Sequence, residues 1–304
     1  MGQLLRRSVR KMLAKQTTVS THYRLKTRLI RIFWTALIGA FALTMIVPFL
    51  WMISASLKRP LDVMKLPIQW IPDYWYPTNY LAVWNVGGAA VRDYHFALAY
   101  WNSLKIAFIN LTGSVLTSTL AGYAFAKIKF RGSTAVFFLY LATMMIPSQV
   151  TLIPKFILFN QIGISGTHWT LILPGLFTVT GTFLMRQFFM QVPDEMRESG
   201  YVDGASELRI WAQIMVPIAK PGMASLAMVV FLWNWNNYLD PLVFLTNWRL
   251  YTIPIALTNF IEESVTEYNL VMAASSSALL PVFFVFLAGQ KFFVKGLMTG
   301  AVKG

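Results

Sequence analysis

A run of polar and aromatic residues in the second half of the chain carries the side chains best suited to holding a small ligand. It has the sequence "FLWNWNNYLDPL" over residues 231–242. Aromatic faces stack on sugar rings, while amides and carboxylates form hydrogen bonds with hydroxyl groups, so this composition suits a carbohydrate. The candidate contact residues in the run are Trp233, Asn234, Trp235, Asn236, Asn237, Tyr238 and Asp240.

These residues also have a structural interpretation, which stays open beside the first. Amides within apolar helices form interhelical hydrogen bonds, and Trp and Tyr anchor helices at the membrane surface. Met145 and Gln149 are weaker candidates for the same path. A phosphorylated substrate would require Lys or Arg there, and Lys105 and Lys155, the only cations available, are expected at the outer rim. The residues therefore favour a neutral or acidic sugar over a phosphate ester.

The segment "ESGYVDGASELRIWAQIMVP", residues 198–217, is the most hydrophilic part of the second half. Pro193, followed by two acidic residues, predicts that a helix starts just before it. Asp203 and Gly204 predict the end of that helix. A second helix is expected from about Ala205 until the final proline of the segment ends it. Its apolar side chains recur at three- and four-residue spacing, at Leu208, Trp211, Ala212 and Met215.

The predicted helix–turn–helix, residues 193–217, is called the elbow below. Its charged residues place it outside the bilayer, between two apolar runs. An amphipathic elbow of this kind either covers the helix bundle at the membrane surface or fits a groove on a soluble partner. Periodicity alone leaves both interpretations open.

The elements that must position these residues are membrane-spanning helices. Hydrophobic residues make up 56% of the chain and charged residues only 12%, against about 25% charged in soluble domains. A helix needs about 20 apolar residues to cross the bilayer, and six runs qualify, which predicts an all-α integral membrane protein. The predicted spans are Ile32–Leu57, Ser103–Ala126, Ser133–Leu158, Trp169–Met190, Pro221–Phe244 and Leu270–Phe292. Prolines within or beside these spans should kink or end helices.

Orientation follows from the distribution of charge. Nine Lys and Arg, and no acidic residue, precede the first apolar run, which at 26 uncharged residues is too long for the core of a cleaved signal peptide. With the N-terminus in the cytoplasm, 19 of the 26 Lys and Arg lie on the inner side, as the positive-inside rule requires. Both termini are therefore predicted to be cytoplasmic, and topology, not nucleic acid, explains the net charge of +14.

Several kinds of chemistry are excluded by the residues themselves. The chain has no cysteine and only three widely spaced histidines, so neither disulfides nor a Cys- or His-rich metal site is expected. A phosphate-binding G-x-x-x-x-G-K-[ST] loop is absent from the sequence. We therefore expect no cofactor and no enzymatic activity of its own. An ion-coupled carrier is the alternative, but intramembrane acids, which such carriers need, are limited to Asp240.

The outer segment between the first two spans, 58–101, is rich in proline and tryptophan. Two interpretations apply to it, an aromatic belt at the headgroup level or a docking surface for an outside partner.

Motifs distributed along the chain resemble one family. Glu198-Ser199-Gly200, three residues, Gly204, nine residues and then Ile214 and Pro217 resemble the E-A-A-x3-G-x9-I-x-L-P loop of binding-protein-dependent ABC importer permeases, with Ser, Gly and Val in place of its two alanines and its leucine. Further segments look like the MalG-type branch of sugar permeases: "SLK" at 56–58, "PTNY" at 77–80, "YAFAKIKFRG" at 123–132, "MIPSQVTLIP" at 145–154, "WNNYLDPL" at 235–242 and the ending "KFFVKGLMTGAVKG".

The resemblance implies a six-helix type I ABC importer permease in the bacterial inner membrane. It would pair with a related second permease as a heterodimer, contact membrane lipid, be driven by two cytoplasmic ATPases and receive a carbohydrate from an extracellular or periplasmic solute-binding protein. A permease for another solute, such as a sugar phosphate, is the alternative. The resemblance begins after the basic tail at 1–31, which is expected to stay in the cytoplasm, and implies a permease domain at 32–304 that includes a coupling loop at 191–217. The residues expected to couple to the ATPase are Glu198, Asp203, Gly204, Ala205, Glu207, Leu208 and Pro217.

Overall fold

The computed structural model describes the backbone of residues 2–86, 95–263 and 267–301, and side chains from residue 27 to 291 apart from 87–94, 259 and 262–266. Every regular element within these residues is helical, which confirms the all-α prediction for the described part of the chain. The chain forms two compact units, residues 1–54 and 55–304.

The described α-helices are numbered in chain order. They are α1 (Gly2–Ser56), α2 (Thr78–Val83), α3 (Phe96–Lys127), α4 (Ser133–Ala142), α5 (Leu152–Gln161), α6 (Trp169–Gly175), α7 (Val179–Met190), α8 (Glu195–Val202), α9 (Glu207–Ile210), α10 (Val216–Trp235), α11 (Leu239–Phe244), α12 (Ile253–Glu263) and α13 (Tyr268–Ala301). A π-helical segment, Trp211–Met215, joins α9 to α10.

Among the described residues, five helical segments are long and apolar enough to cross a membrane. Each has at least 18 residues with sustained hydropathy and few charges, which meets the length that the hydrocarbon core demands. They are Thr27–Ser56, Phe96–Lys127, Trp169–Met190, Glu207–Trp235 and Tyr268–Lys291. These segments correspond to the predicted spans one, two, four, five and six.

The predicted third span is not one helix. α4 ends at Ala142, a 3-10 turn follows, and α5 begins only at Leu152. Ile146 is extended, with φ −82° and ψ 115°, because the ring of Pro147 disfavours helical backbone at the residue before it. Five of the six predicted spans are therefore long helices among the described residues, and two shorter helices, α4 and α5, occupy the predicted third span.

Two other boundaries differ from prediction. The fifth span was expected over 221–244, but α10 ends at Trp235 and α11 is a separate helix. Pro217 was expected to end the second elbow helix, but it lies in the first turn of α10, and helical backbone runs on from Glu207 to Trp235. The π segment directly before Pro217 changes the hydrogen-bonding register, so the missing proline N–H interrupts no continuous α-helical ladder.

Helix α3 lies at the centre of the second unit. Its residues contribute to each of three apolar clusters, through Phe96 near its start, Ile106 in the middle and Tyr123 near its end. It also approaches α7 closely, because a Cβ atom added at Gly122 would lie 2.7 Å from the Met185 Cβ. A helix shared by all three clusters is placed to connect the two ends of the bundle.

Candidate functional site

The turn of the elbow is built around Gly204. Its φ of +72° is left-handed, and two backbone bonds close the end of α8: Ala205 N–H to Gly200 O and Gly204 N–H to Tyr201 O, both 2.9 Å. This six-to-one and five-to-two pair is a Schellman motif, which favours glycine at the left-handed position. The predicted helix start after Pro193 and the break at Gly204 are confirmed.

A second glycine brings the two arms of the elbow together. Gly200 is buried, and a Cβ atom added there would lie 2.8 Å from Ile210 Cγ1 and 3.1 Å from Ile214 Cδ1. The first arm, α8, therefore packs directly on the second arm through Gly200. The motif that this loop resembles carries alanine here, and a methyl group at this position would contact the side chains of both isoleucines.

The outward surface of the elbow combines acidic and apolar residues. Glu198 and Asp203 are exposed, and Leu208 is 64% exposed. The predicted apolar stripe divides, since Leu208 and Ala212 face outward while Met215 is buried. The π segment shifts the angular spacing and so breaks the stripe.

A buried lysine attaches the start of the elbow to α3. Lys127 Nζ donates to Val192 O and to Asp194 Oδ1, each at 2.5 Å. The lysine side chain is 6% exposed and the aspartate 70% exposed. The hydrogen bond from Lys127, together with its charge, lowers the pKa of the Asp194 carboxyl.

Glu207 turns toward its own chain. Tyr123 of α3 donates to Glu207 Oε2 at 2.5 Å, while Arg197 and Tyr201 of α8 donate to Glu207 Oε1. The glutamate side chain is 35% exposed. One carboxylate thus joins α9 to both α8 and α3. The sequence placed Glu207 among the partner-facing residues. Its bond to Tyr123 could not be read from sequence spacing, because Tyr123 is 84 positions away.

A cavity of about 180 Å³ lies at the other end of α10. Its polar lining consists of Lys155 from α5, Thr170 from α6, Asn234 from α10, and Asn237 and Asp240 at the start of α11. Asn237 Nδ2 donates to Asp240 Oδ2 at 2.9 Å, and Asn237 Oδ1 accepts from the Asp240 N–H at 3.3 Å. These bonds fix two of the groups that face the cavity, which offers both donors and acceptors to a hydroxylated ligand.

The other predicted path residues lie elsewhere. Trp235 belongs to the apolar core and donates through Nε1 to Ala278 O at 3.0 Å. Trp233, Asn236 and Tyr238 are exposed and do not line the cavity. Met145 is 84% exposed and Gln149 is also exposed, both between α4 and α5. The run 231–242 therefore divides into a core residue, outward residues and the three cavity residues Asn234, Asn237 and Asp240.

Two cavity features were missed by sequence reasoning. Lys155 was expected at the outer rim of the path, yet it lines the cavity together with Asp240. Asn110 of α3 supports the cavity wall from behind, donating to Asn234 Oδ1 at 2.5 Å and to Leu171 O at 3.2 Å. A polar residue in the middle of an apolar span was the available signal for Asn110.

Comparison with known proteins places this geometry in a family. Residues 114–299 match the model of the binding-protein-dependent transport system inner membrane component. The lactose transport system permease protein LacG of Rhizobium radiobacter is 31% identical over 92% of this chain and 98% of its own. The arabinooligosaccharides transport system permease protein AraQ of Halalkalibacterium halodurans is 30% identical over 89% of this chain and 96% of its own.

Two further relatives complete the comparison. The sn-glycerol-3-phosphate transport system permease protein UgpE of Yersinia enterocolitica is 32% identical over 81% of this chain and 88% of its own. A crystal structure of a bacterial ABC transporter involved in the import of the acidic polysaccharide alginate contains a chain with a TM-score of 0.77 and 22% identity, covering 88% of this chain and 97% of that one. This chain belongs to the family of inner membrane components of binding-protein-dependent transport systems.

Proposed function

We propose that the protein is a membrane-spanning subunit of an ATP-driven importer that takes up a sugar or oligosaccharide delivered by an extracellular solute-binding protein. Family membership supports the transport role, and the sugar-named relatives LacG and AraQ, together with the amide- and carboxylate-lined cavity, support the substrate class. In this proposal the chain itself hydrolyses nothing, and partner ATPase subunits supply the energy.

The proposed topology has six crossings with both termini in the cytoplasm. The five spanning helices supply five crossings, and α4 with α5 supplies the third as a broken pair, a form that membranes tolerate where protein covers the break. The Lys and Arg distribution supports this orientation. The basic tail at 1–31 and the permease domain at 32–304 remain the proposed division.

The elbow is the proposed docking element for the ATPase. Its exposed Glu198, Asp203 and Leu208 offer charged and apolar contacts to a groove, and Ala205 lies beside them at the turn. Gly204 fixes the angle between the two arms. Glu207 bonds other residues of this chain, and Pro217 lies in the first turn of α10. A stiff elbow passes movement on, since a flexible one would dissipate it.

The remaining partners follow from the same proposal. A second, related permease completes a heterodimer, an ATPase dimer binds on the cytoplasmic side, and the binding protein meets the outer segments. Lipid surrounds the exposed apolar helices, and no nucleic acid is involved. We propose that Met145 and Gln149, between α4 and α5, contact the second permease, because both side chains are exposed and neither lines the cavity in this chain.

A sugar phosphate is the second candidate substrate, because Lys155 lines the cavity and UgpE is a relative. Asp240 on the same cavity counters the lysine charge, which supports the neutral sugar. Lys155→Met separates the two: it leaves uptake of a neutral sugar within about twofold of wild type, whereas it lowers uptake of a phosphate ester about tenfold or more, the scale of a hydrogen bond to a charged group. Loss of neutral-sugar uptake with phosphate uptake retained would reject this assignment.

Uptake by the reconstituted system tests the proposal as a whole. Proteoliposomes that contain this chain with its neighbouring permease, ATPase and binding protein are expected to accumulate labelled sugar only when ATP is available to the ATPase. Accumulation driven by an ion gradient in the absence of ATP would contradict it and favour the ion-coupled carrier.

A further inference from the structure

The C-terminal end of α3 is bonded to the elbow, although the two segments are far apart in the sequence. Tyr123 and Lys127 lie one helical turn apart in α3, and they bond Glu207 and Asp194 in the second and first arms of the elbow. Around these bonds Tyr123, Phe189 and Ile210 share one buried apolar cluster. The elbow is thus attached to α3 at two points and by packing.

The opposite part of α3 is bound to the substrate cavity. Asn110 is fully buried and donates to Asn234, which lines that cavity. The 13 positions from Asn110 to Tyr123 correspond to about 20 Å along a helix at 1.5 Å per residue. Both contacts lie on the unbroken helix α3.

We propose that α3 transmits the movement of the elbow to the cavity, with Tyr123–Glu207 as its lower joint and Asn110–Asn234 as its upper joint. The inference rests on the proposed function, because it requires that an ATPase moves the elbow. These residues act by positioning other groups. Of the four, only Asn234 lines the cavity.

The lower joint has the chemistry of a firm connection. Glu207 Oε2 accepts from Tyr123, Oε1 accepts from Tyr201, and Arg197 donates to both oxygens. Hydrogen bonds to an ionised group are shorter and about twice as strong as neutral ones. Because the same carboxylate bonds α8 and α3, displacement of either elbow arm pulls on α3.

The covalent route from the elbow is of a different kind. The second arm reaches α10 through the π segment Trp211–Met215, and π segments are uncommon and occur frequently at functional sites. α10 is therefore joined to the elbow through an altered helical register, whereas α3 is joined by directed side-chain bonds. The elbow therefore has a second path to the cavity through α3, beside the covalent one through α10.

A distance measurement on the assembled transporter tests the lower joint. The chain has no cysteine, so Ser199→Cys on the elbow and Lys129→Cys just beyond α3, both exposed positions, give a unique spin-label pair in the complex with its permease partner, ATPase and binding protein. The expected result is one narrow distance, the same without nucleotide and with ATP trapped. A shift of several ångströms between the two states would overturn the proposal.

Matched tyrosine variants connect the joint to transport. Tyr123→Phe removes the hydroxyl that donates to Glu207 and keeps the ring, so it is expected to broaden the Ser199–Lys129 distance and to lower sugar transported per ATP hydrolysed several-fold, with the ATPase still bound. Tyr140→Phe on α4 makes the same chemical change away from the elbow and is expected to leave transport per ATP unchanged. Unchanged transport per ATP in Tyr123→Phe would overturn the proposal.

The upper joint is tested with Asn110→Ser. This change is expected to lower transport per ATP several-fold while the Ser199–Lys129 distance stays as in the wild-type chain, because the lower joint is intact. An unchanged ratio would overturn the upper joint. If the wild-type chain binds no ATPase at all, the proposed function fails; if the ATPase binds and both variants transport normally, the proposed function stands and only this inference fails.

Discussion

The elbow and the cavity differ in how their polar groups are satisfied. Around the elbow, Lys127, Arg197 and Glu207 each bond partners within the chain, and two glycines hold the arms at one angle. At the cavity, Asn237 and Asp240 bond each other, but the volume between them and Lys155 stays open. The polar groups of the elbow, the proposed docking element, are thus held in place by this chain. Those of the cavity, the proposed binding site, face a space that a substrate can enter.

Gly204→Val is expected to have the largest effect of the variants considered, and it acts on the elbow. A left-handed conformation costs a residue with a Cβ about 1–2 kcal/mol, and a β-branched one more, so the turn opens and the docking surface is lost. We expect near-complete loss of uptake and of ATPase co-purification, with the chain still in the membrane.

Gly163→Val is the matched control for this change. Gly163 has φ +75°, and an added Cβ atom there, as at Gly204, would meet no other atom within 4 Å. Gly163 lies in the turn between α5 and α6. The same strain there should leave ATPase co-purification intact. Equal loss in both variants would show that strain in any turn, and not the elbow angle, abolishes association.

Asp240→Ala probes the cavity side with an intermediate effect. The carboxylate offers charged acceptors to sugar hydroxyls, and a hydrogen bond to a charged group contributes about 1.5–3 kcal/mol, which predicts about a tenfold or larger increase in the KM of uptake. ATPase association should be unchanged, in contrast to Gly204→Val. Asn236→Ala is the control, because Asn236 is exposed and bonds Leu232 O instead; a similar KM in both variants would separate Asp240 from the substrate.

A change at Asp194 is expected to have the smallest effect, and it measures how much the charge of this residue stabilises the elbow. Its pKa is lowered in the folded protein by the bond from Lys127, so the bond adds stability above the ordinary Asp pKa and loses it as the pH falls through the lowered value. Asp194→Asn should therefore lower the Tm of the purified chain modestly at neutral pH, with the difference from wild type vanishing in acid.

The control for the pH dependence is Asp203→Asn, an exposed carboxylate of the same elbow. Its Tm should follow that of the wild type at all pH values. A Tm difference for Asp194→Asn that persists unchanged into acid would mean that the side-chain shape, not its charge, stabilises the start of the elbow.

Local signals made the elbow predictable from the sequence. Proline before acidic residues starts α8, and Asp203-Gly204 ends it in a Schellman motif, since caps and turns depend on neighbouring residues. The end of the second arm was mispredicted at Pro217, because a proline is tolerated in the first turn of a helix and here follows a π segment that leads directly into α10.

The cavity was predictable only in part. Hydrophobic periodicity and composition identified the polar run 231–242, but the partners of that run come from α3, α5 and α6, which tertiary packing brings together. The aromatic residues of the run were predicted to contact the ligand, but Trp235 is buried in the apolar core. Sequence spacing could not distinguish cavity-facing from outward side chains, because α10 ends at Trp235 and the backbone turns before α11.

Cross-linking from the elbow in intact membranes shows directly whether an ATPase subunit binds there. Ser206 is exposed at the turn, and Ser206→Cys would be the only cysteine in the chain, so a short cross-linker attached there reports one neighbour. We predict that a cross-linker on Ser206→Cys captures an ATPase subunit, and that one on Ala205→Cys does the same. If both positions are labelled efficiently and neither is ever joined to a nucleotide-hydrolysing protein, the elbow is not the site at which energy enters this transporter.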